Sequence, residues 1–186
     1  MKGLVAAACL ALLVPAGTAA LHAAAAQEDD LLKKIVNVPA PEAWRIDGLR
    51  SKAPVRKDES VQGGKAVRIA IGGKGTNPWD ISAANPIEKP VKAGDTLILA
   101  FWARLEKGEG GATSVTLPNN AVQLAKEPYT ALFSGPVTIG PEWKMHEVKG
   151  KADKDYPAGT LNVSLHLATG KQTIDLGPVF VLDMGQ

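Results

Sequence analysis

The feature that most constrains the fold is a long series of short apolar runs separated by glycine, proline and asparagine. Turn residues recur between the runs, as at Gly63-Gly64, Gly72-Gly73, Pro118-Asn119-Asn120 and Gly140-Pro141. No segment with helical periodicity has both the length and the caps of a stable helix. Short strands punctuated in this way are typical of an all-β sandwich or barrel, which is the fold class that the pattern predicts.

Ten runs are predicted to be strands. They cover residues 44–49, 66–71, 79–84, 96–105, 113–117, 121–124, 130–133, 143–148, 161–168 and 173–182. Successive side chains of a strand point to opposite faces, so alternation separates a core face from an outer face. Two runs alternate most clearly, with Leu97, Leu99, Phe101 and Ala103 in one and Leu161, Val163, Leu165 and Leu167 in the other. These two apolar sets are predicted to face the core.

The N-terminus has the pattern of a secretory signal peptide. Lys2 supplies the positive charge, and the apolar run over residues 4–14 is too short to span a bilayer. Ala24-Ala25-Ala26 offers a small-residue cleavage site, with Thr18-Ala19-Ala20 as an earlier alternative. The pattern predicts a signal peptide over 1–26, a lead-in segment over 27–43 and one β-sandwich domain over 44–186. The mature protein is predicted to be secreted or periplasmic.

Composition excludes several classes of function. The single cysteine, Cys9, lies in the leader, so the mature chain has no disulfide framework, thiolate metal site or cysteine nucleophile. The formal charge is +2 and the lysines are dispersed among acids, which argues against a nucleic-acid partner. No second long apolar segment follows the leader, so no membrane partner is predicted.

Catalytic signals are weak. After cleavage only His146 and His166 remain as histidines, and no G-x-S-x-G motif is present for a serine nucleophile. Most acids lie in or beside predicted turns, where solvated carboxylates are expected. The chain is therefore predicted not to be an enzyme. A glycosidase needs only two carboxylates, so a small glycoside hydrolase stays open as the least favoured alternative.

Several segments, in their order along the chain, resemble one known family. They are Gly64-Lys65-Ala66-Val67-Arg68-Ile69, Asn77-Pro78-Trp79-Asp80-Ile81, residues 91–104, Pro141-Glu142-Trp143-Lys144, Leu165-His166-Leu167 and residues 172–182. This order is similar to that of CenC-type carbohydrate-binding modules of families 4, 9 and 22. The resemblance implies a β-sandwich (jelly-roll) of two antiparallel sheets, one of them concave and holding a glycan chain.

The same resemblance implies partners and a metal ion. Such modules commonly accompany glycoside hydrolases, so a glycoside hydrolase acting in trans is a predicted partner beside the carbohydrate ligand. Many members hold a structural calcium ion with acids near both chain ends, and Asp175 matches the C-terminal acid. No other cofactor is expected.

Five residues are predicted to bind the carbohydrate: Trp102, Arg104, Trp79, His166 and Asn162. Sugar rings present apolar C–H faces bordered by hydroxyls, so flat aromatic surface beside hydrogen-bonding groups suits them. Four of the five, all except Trp79, lie opposite the core residues of the two alternating strands and are predicted to share one exposed face. Each tryptophan is equally compatible with packing under a loop or against a neighbouring strand.

Two further residues, Gln123 and Tyr129, lie in a loop-rich region that could border a cleft.

The leading hypothesis is a secreted, non-catalytic module that binds a polysaccharide or oligosaccharide. The alternative is a structural or protein-interaction sandwich without sugar binding.

Overall fold

A computed structural model describes residues 30–186. The compact unit is Lys34–Gln186; of the short unit before it, only residues 30–33 are described, and residues 30–34 are helical. The predicted signal peptide, residues 1–26, lies outside the described residues. The compact unit starts before the predicted domain boundary at residue 44, because Ile35 and Asn37 pair with strand residues Leu182 and Ile87.

Ten strands are described in residues 30–186. They are β1 (Arg45–Asp47), β2 (Val55–Lys57), β3 (Lys65–Gly72), β4 (Ser82–Ile87), β5 (Thr96–Lys107), β6 (Val115–Leu124), β7 (Ala131–Ile139), β8 (Lys144–Lys151), β9 (Leu161–His166) and β10 (Lys171–Asp183). Four three-residue 3₁₀ turns are also described in these residues. Pro41–Ala43 precedes β1, and three lie between strands, at Gln62–Gly64, Pro78–Asp80 and Glu109–Gly111.

The strands form two five-stranded sheets. Sheet I has the order β1-β4-β9-β6-β7, and sheet II has the order β2-β3-β10-β5-β8. The ladders described within both sheets are antiparallel. The predicted all-β sandwich of two antiparallel sheets is confirmed.

The core lies between the sheets and follows the predicted alternation. On β5 the side chains of Leu97, Leu99 and Phe101 are fully buried, and on β9 those of Val163 and Leu165 are fully buried. Each belongs to the apolar cluster that joins the sheets. Burial of large aliphatic and aromatic side chains contributes about 1.5–3 kcal/mol each, so β5 and β9 stabilise the sandwich strongly.

Three local predictions differ from the structure. Pro118 and Asn119 were expected to form a turn, but β6 runs through them as one strand with a register shift between Leu117 and Asn120. Proline lacks an N–H donor, and a bulge accommodates it without ending the strand. Trp79 was expected in a strand and instead lies in the 3₁₀ turn Pro78–Asp80. Strand β2 was not predicted, since only three residues pair.

Among the described residues, no helix is long and apolar enough to cross a membrane.

Candidate functional site

A groove of about 460 Å³ lies on the outer face of sheet I. Eleven residues line it: Arg45, Asp47, Trp79, Ser82, Ala84, Gln123, Pro128, Tyr129, Asn162, Ser164 and His166. A volume of this size is within the usual range for small-molecule sites. The groove contains three of the five predicted binding residues, Trp79, Asn162 and His166.

Strand register explains the shape of the groove. Ala84 of β4 lies opposite Ser164 of β9, and these two short side chains form a low row in the middle of the face. A row of Ser82 and His166 lies on one side. Because residues directly opposite each other in an antiparallel pair point to the same face, each row extends across neighbouring strands. Small residues between larger ones make a trough rather than a flat sheet.

Trp79 forms one wall of the groove. Its side chain is 58% exposed, and its ring meets the ring of His166 edge to face, with centroids 5.8 Å apart. The backbone N–H of Asn77 donates to Asp80 Oδ2 at 2.9 Å, which closes the 3₁₀ turn that carries the tryptophan. The N–H of Ala168 donates to the carbonyl of Pro78 at 3.0 Å and ties this turn to the end of β9. These two hydrogen bonds fix the backbone that carries Trp79, and the ring itself contacts His166.

Tyr129 provides a second exposed ring in the lining. It is 54% exposed and lies in the loop between β6 and β7. Its φ is +54°, in the left-handed region that residues other than glycine rarely adopt. Such a conformation costs about 1–3 kcal/mol and is concentrated at functional sites. Its N–H donates to the carbonyl of Lys126 at 2.9 Å, which holds the turn closed.

Two amide side chains lie next to each other in the groove. Gln123 of β6 is opposite Asn162 of β9, and the two are 9% and 8% exposed. Asn162 Oδ1 is buried and has no hydrogen-bond partner among the described residues. A buried polar atom without a partner costs about 1–3 kcal/mol. Both amides line the groove, which places hydrogen-bonding side chains beside the two exposed rings.

The charged groups of the groove neutralise one another. Arg45 Nε and Asp47 Oδ2 are 2.9 Å apart, with the side chains 70% and 51% exposed. Burial lowers the pKa of His166, so its imidazole is neutral at pH 7. The amide of Asn119 lies 3.4 Å from His166 Nε2, and when this amide donates, the ring proton is on Nδ1. The groove thus offers hydrogen-bonding groups without a net formal charge.

Four of the predicted binding residues do not share one exposed face, so this prediction is wrong for Trp102, Arg104, Asn162 and His166. Trp102 and Arg104 lie on β5 in sheet II, whereas Asn162 and His166 lie on β9 in sheet I. The apolar sets of both strands face the core, so their polar sets point to opposite outer surfaces of the sandwich. Alternation identifies the outward side chains of a strand, but it does not identify the sheet to which the strand belongs.

Trp102 packs under a loop, which was the alternative interpretation. Its Nε1 donates to Gln62 Oε1 at 3.0 Å. A Cβ built on Gly177 of the neighbouring strand would lie 2.9 Å from Trp102 Cβ and 2.8 Å from Val61 Cγ2. The absence of a side chain at Gly177 therefore makes room for Trp102 beneath the turn Gln62–Gly64.

Arg104 belongs to an ion network on the outer face of sheet II. Its Nη2 lies 2.9 Å from Asp175 Oδ2, 3.1 Å from Asp58 Oδ2 and 3.1 Å from Glu106 Oε2. Arg68 Nε lies 2.8 Å from Asp175 Oδ1 on the other side. Hydrogen bonding to Asp175 raises the pKa of the Arg68 guanidinium above its ordinary value. We call these five residues, Arg68, Arg104, Asp58, Glu106 and Asp175, the sheet II network.

The surroundings of Asp175 do not support the predicted calcium site. The side chain is 0% exposed, and both carboxylate oxygens accept hydrogen bonds from arginine, Oδ1 from Arg68 and Oδ2 from Arg68 and Arg104. Two guanidinium groups supply the positive charge that a cation would bring to this carboxylate. Within residues 30–186, no group of three or more histidine, cysteine or acidic side chains is arranged to hold a metal ion.

Several groove residues were not predicted. Arg45 and Asp47 are two positions apart on one predicted strand, which was a signal that they share a face. Gln123 and Tyr129 were noted only as neighbours of a cleft. Gln123 lines the groove because β6 pairs with β9, and Tyr129 does so because of the path of the β6–β7 loop. Sequence periodicity reports neither the partner of a strand nor the path of a loop.

Comparison with known proteins supports the fold. No family model and no curated protein matches the sequence. Among solved structures, the chain is similar to the second N-terminal cellulose-binding domain of Cellulomonas fimi β-1,4-glucanase C, with 18% identity, a TM-score of 0.57, and 82% of this chain and 95% of that chain covered.

Two further structures carry family 22 modules. The C-terminal family 22 carbohydrate-binding module of Clostridium thermocellum Xyn10B matches with 13% identity and a TM-score of 0.56, covering 82% of this chain and 96% of that chain. A chain of the same xylanase, comprising CBM22-1 and GH10 modules complexed with xylohexaose, matches with 14% identity and a TM-score of 0.54, covering 81% of this chain and 28% of that chain. A family 4 module is also similar, with 18% identity and a TM-score of 0.55. The protein therefore has the jelly-roll fold of carbohydrate-binding modules of families 4 and 22.

Proposed function

We propose that the groove on sheet I binds a segment of an uncharged β-linked polysaccharide or oligosaccharide. The observation that carries the proposal is the pair of exposed rings, Trp79 and Tyr129, lining a trough that also contains the amides Gln123 and Asn162. Aromatic faces accommodate the C–H faces of pyranose rings, and amides bond the hydroxyls around them.

The electrostatics of the groove support an uncharged ligand. Arg45 and Asp47 are paired with each other, and His166 is neutral at pH 7 because burial lowers its pKa. A ligand with a carboxylate or phosphate on every sugar would need positive groups that do not already have an acidic partner. The similar solved structures include cellulose-binding and xylan-binding domains, and both of these polymers have uncharged backbones.

The protein acts, in this proposal, outside the cytoplasm and without catalysis of its own. The leader over residues 1–26 supports export. A glycoside hydrolase acting in trans is the partner, since one similar chain joins a family 22 module to a GH10 module. The protein would contribute affinity for the glycan, and the enzyme would cleave it.

Affinity electrophoresis and calorimetry against xylan, mixed-linkage glucan, cellulose oligomers and mannan test the proposal. We expect binding to at least one of these uncharged glycans, with no release of reducing sugar. The double variant Gln123→Ala/Asn162→Ala should lose about tenfold or more in affinity, because each amide bonds a hydroxyl.

The matched control changes two exposed amides outside the groove, Gln62→Ala and Gln186→Ala, and should leave the affinity unchanged. Absence of binding across the whole panel would overturn the proposal and favour an interaction sandwich. Release of reducing sugar that is lost when one acid is replaced would instead show an enzyme.

A further inference from the structure

A second depression lies on the outer face of sheet II, at the end where β3, β10 and β5 meet. It consists of a cavity of about 410 Å³ and one of about 710 Å³, which share Ala70 and Gly72 in their linings. Ala70 lies opposite Thr173 of β10, so small side chains continue across the strands. A Cβ built on Gly72 would meet no atom within 4 Å, which shows that the shared part is open. We call this surface the basic depression.

Four cations border the basic depression without an acidic partner. Arg50 and Lys52 belong to the loop before β2, Lys107 ends β5, and Lys171 begins β10. All four are exposed, and none forms an ion pair within residues 30–186. In contrast, Arg45, Lys65, Lys92 and Lys149 each lie within 4.0 Å of a carboxylate. Lys144, Lys151 and Lys154 have no ion pair within residues 30–186 either, but they lie outside the depression. What distinguishes the four cations is that they border the same two joined cavities.

Acidic groups near the depression do not cancel this charge. Glu109 is the one acidic side chain among the described residues that line the two cavities, and it accepts the backbone N–H of Lys171 at 3.2 Å. Arg68 also contributes to the lining, but Asp175 and Glu106 already pair with it. Four unpaired cations against one carboxylate leave an excess of positive charge.

We propose that the basic depression binds an acidic polysaccharide, a glycan that carries a carboxylate on many of its sugars. Strands in a sheet are about 4.8 Å apart, so Lys107 on β5 and the β3 floor are about 10 Å apart. This separation and the two joined cavities suit a polymer with repeated charges better than a single small anion. This site is separate from the groove and does not depend on the ligand of the groove.

The lining disfavours two other kinds of polyanionic partner, single-stranded nucleic acid and a lipid surface. It contains no aromatic side chain, whereas proteins that bind single-stranded nucleic acid stack bases on aromatic rings. Leu49, Ile71 and Ile81 are half-buried or buried, so no large apolar side chain is exposed to enter a lipid surface. What remains is an arrangement of cations around a polar trough, which suits a hydrophilic chain with carboxylates.

The test is affinity electrophoresis of the full chain in gels containing polygalacturonate, with fully methyl-esterified pectin as the uncharged polymer. We expect retardation in polygalacturonate at about 20 mM salt and its loss near 0.5 M, because salt of that strength screens exposed charges. The triple variant Lys52→Gln/Lys107→Gln/Lys171→Gln should lose about tenfold or more in affinity, the usual size for three exposed ion pairs lost together.

The control is Lys144→Gln/Lys151→Gln/Lys154→Gln, which removes the same charge from lysines elsewhere and should bind polygalacturonate like the wild type. Trp79→Ala should also bind it normally, because its side chain lies in the groove. Equal loss in the two triple variants, loss in Trp79→Ala, equal retardation by single-stranded DNA, or no retardation by polygalacturonate would each overturn the inference. Failure of this test leaves the binding of uncharged glycans in the groove untouched.

Discussion

The outer faces of the two sheets carry the same kinds of side chain, but those on sheet I are exposed and those on sheet II are buried or covered. On sheet I, Arg45 and Asp47 form an exposed pair in an open trough beside the exposed ring of Trp79. On sheet II, Arg104 bonds the fully buried Asp175, and Trp102 is held by Gln62 beneath a loop. Residue type therefore does not identify an open face. The two exposed rings, Trp79 and Tyr129, distinguish the groove of sheet I, where we propose that the uncharged glycan binds.

The largest expected effect comes from breaking the sheet II network. Asp175→Ala should lower the free energy of unfolding by about 3 kcal/mol, because Arg68 and Arg104 lose the buried carboxylate between them. The two arginine side chains are 26% and 18% exposed, which places the effect at the lower end for a broken buried pair. Urea unfolding measures it.

The control on sheet I is Asp47→Ala, which breaks an exposed pair and should change the free energy of unfolding by less than about 1 kcal/mol. Similar losses in the two variants would remove the distinction between the two faces.

Replacing each of the two outer tryptophans by alanine sharpens the comparison between the sheets. Trp79→Ala should lower the affinity for the uncharged glycan by about 2 kcal/mol, roughly 30-fold, while changing stability by less than about 0.5 kcal/mol. Trp102→Ala should do the reverse, costing about 2 kcal/mol of stability through lost packing and leaving the affinity of the folded protein unchanged. Calorimetry and thermal unfolding of both variants measure the two quantities. A loss of affinity in Trp102→Ala would indicate that the glycan binds on sheet II and would contradict the proposed site.

Variants of Tyr129 distinguish the cost of its strained backbone, which affects stability, from the contribution of its ring to glycan affinity. Tyr129→Asn should lower the glycan affinity by about 1 kcal/mol, because the ring is lost, without lowering the free energy of unfolding. Asparagine tolerates the left-handed conformation better than tyrosine does, so the backbone at φ +54° is relieved. Tyr129→Phe keeps the ring and should retain most of the affinity. A drop in stability in the asparagine variant would show that the ring holds the loop in place.

The smallest effect is a pH dependence to which each sheet contributes one histidine. Burial lowers the pKa of His166 on sheet I, and burial followed by Lys144 lowers the pKa of His146 on sheet II. A lowered pKa means that the unfolded chain binds a proton at a higher pH than the folded chain does. This contribution to stability is therefore fully present above about pH 6.5 and is lost as the pH falls below that value. Urea unfolding between pH 7 and 5 measures the slope. Each single His→Gln variant should flatten part of it, and a slope unchanged in both would contradict the assignment.

Much of the fold follows from local patterns. The period-two alternation of β5 and β9 predicts which side chains enter the core, and the turn residues predict most strand ends. The exceptions are local too: Pro118 lies in a bulge where a turn was expected, and the three residues of β2 are too few to produce a pattern. These positions differ because a neighbouring strand decides whether a short or interrupted run is paired.

The candidate site was predicted only in part. Asn162 and His166 were placed on the correct side of β9, and Trp79 was placed beside a glycine-rich loop. Trp102 and Arg104 were assigned to the same face because their strand alternates in the same way. The sequence of β5 or β9 does not indicate which neighbouring strands pair with it in a sheet.

Sequence patterns alone determined that this chain is all-β and which side chains of β5 and β9 point outward. The physical reason is local, since alternation follows from the backbone geometry of a single strand. Only the tertiary structure decided that β9 pairs with β4 and β6 while β5 pairs with β10 and β8. These pairings join residues far apart in the chain, so the outward polar groups form an open groove on one sheet and a closed ion network on the other.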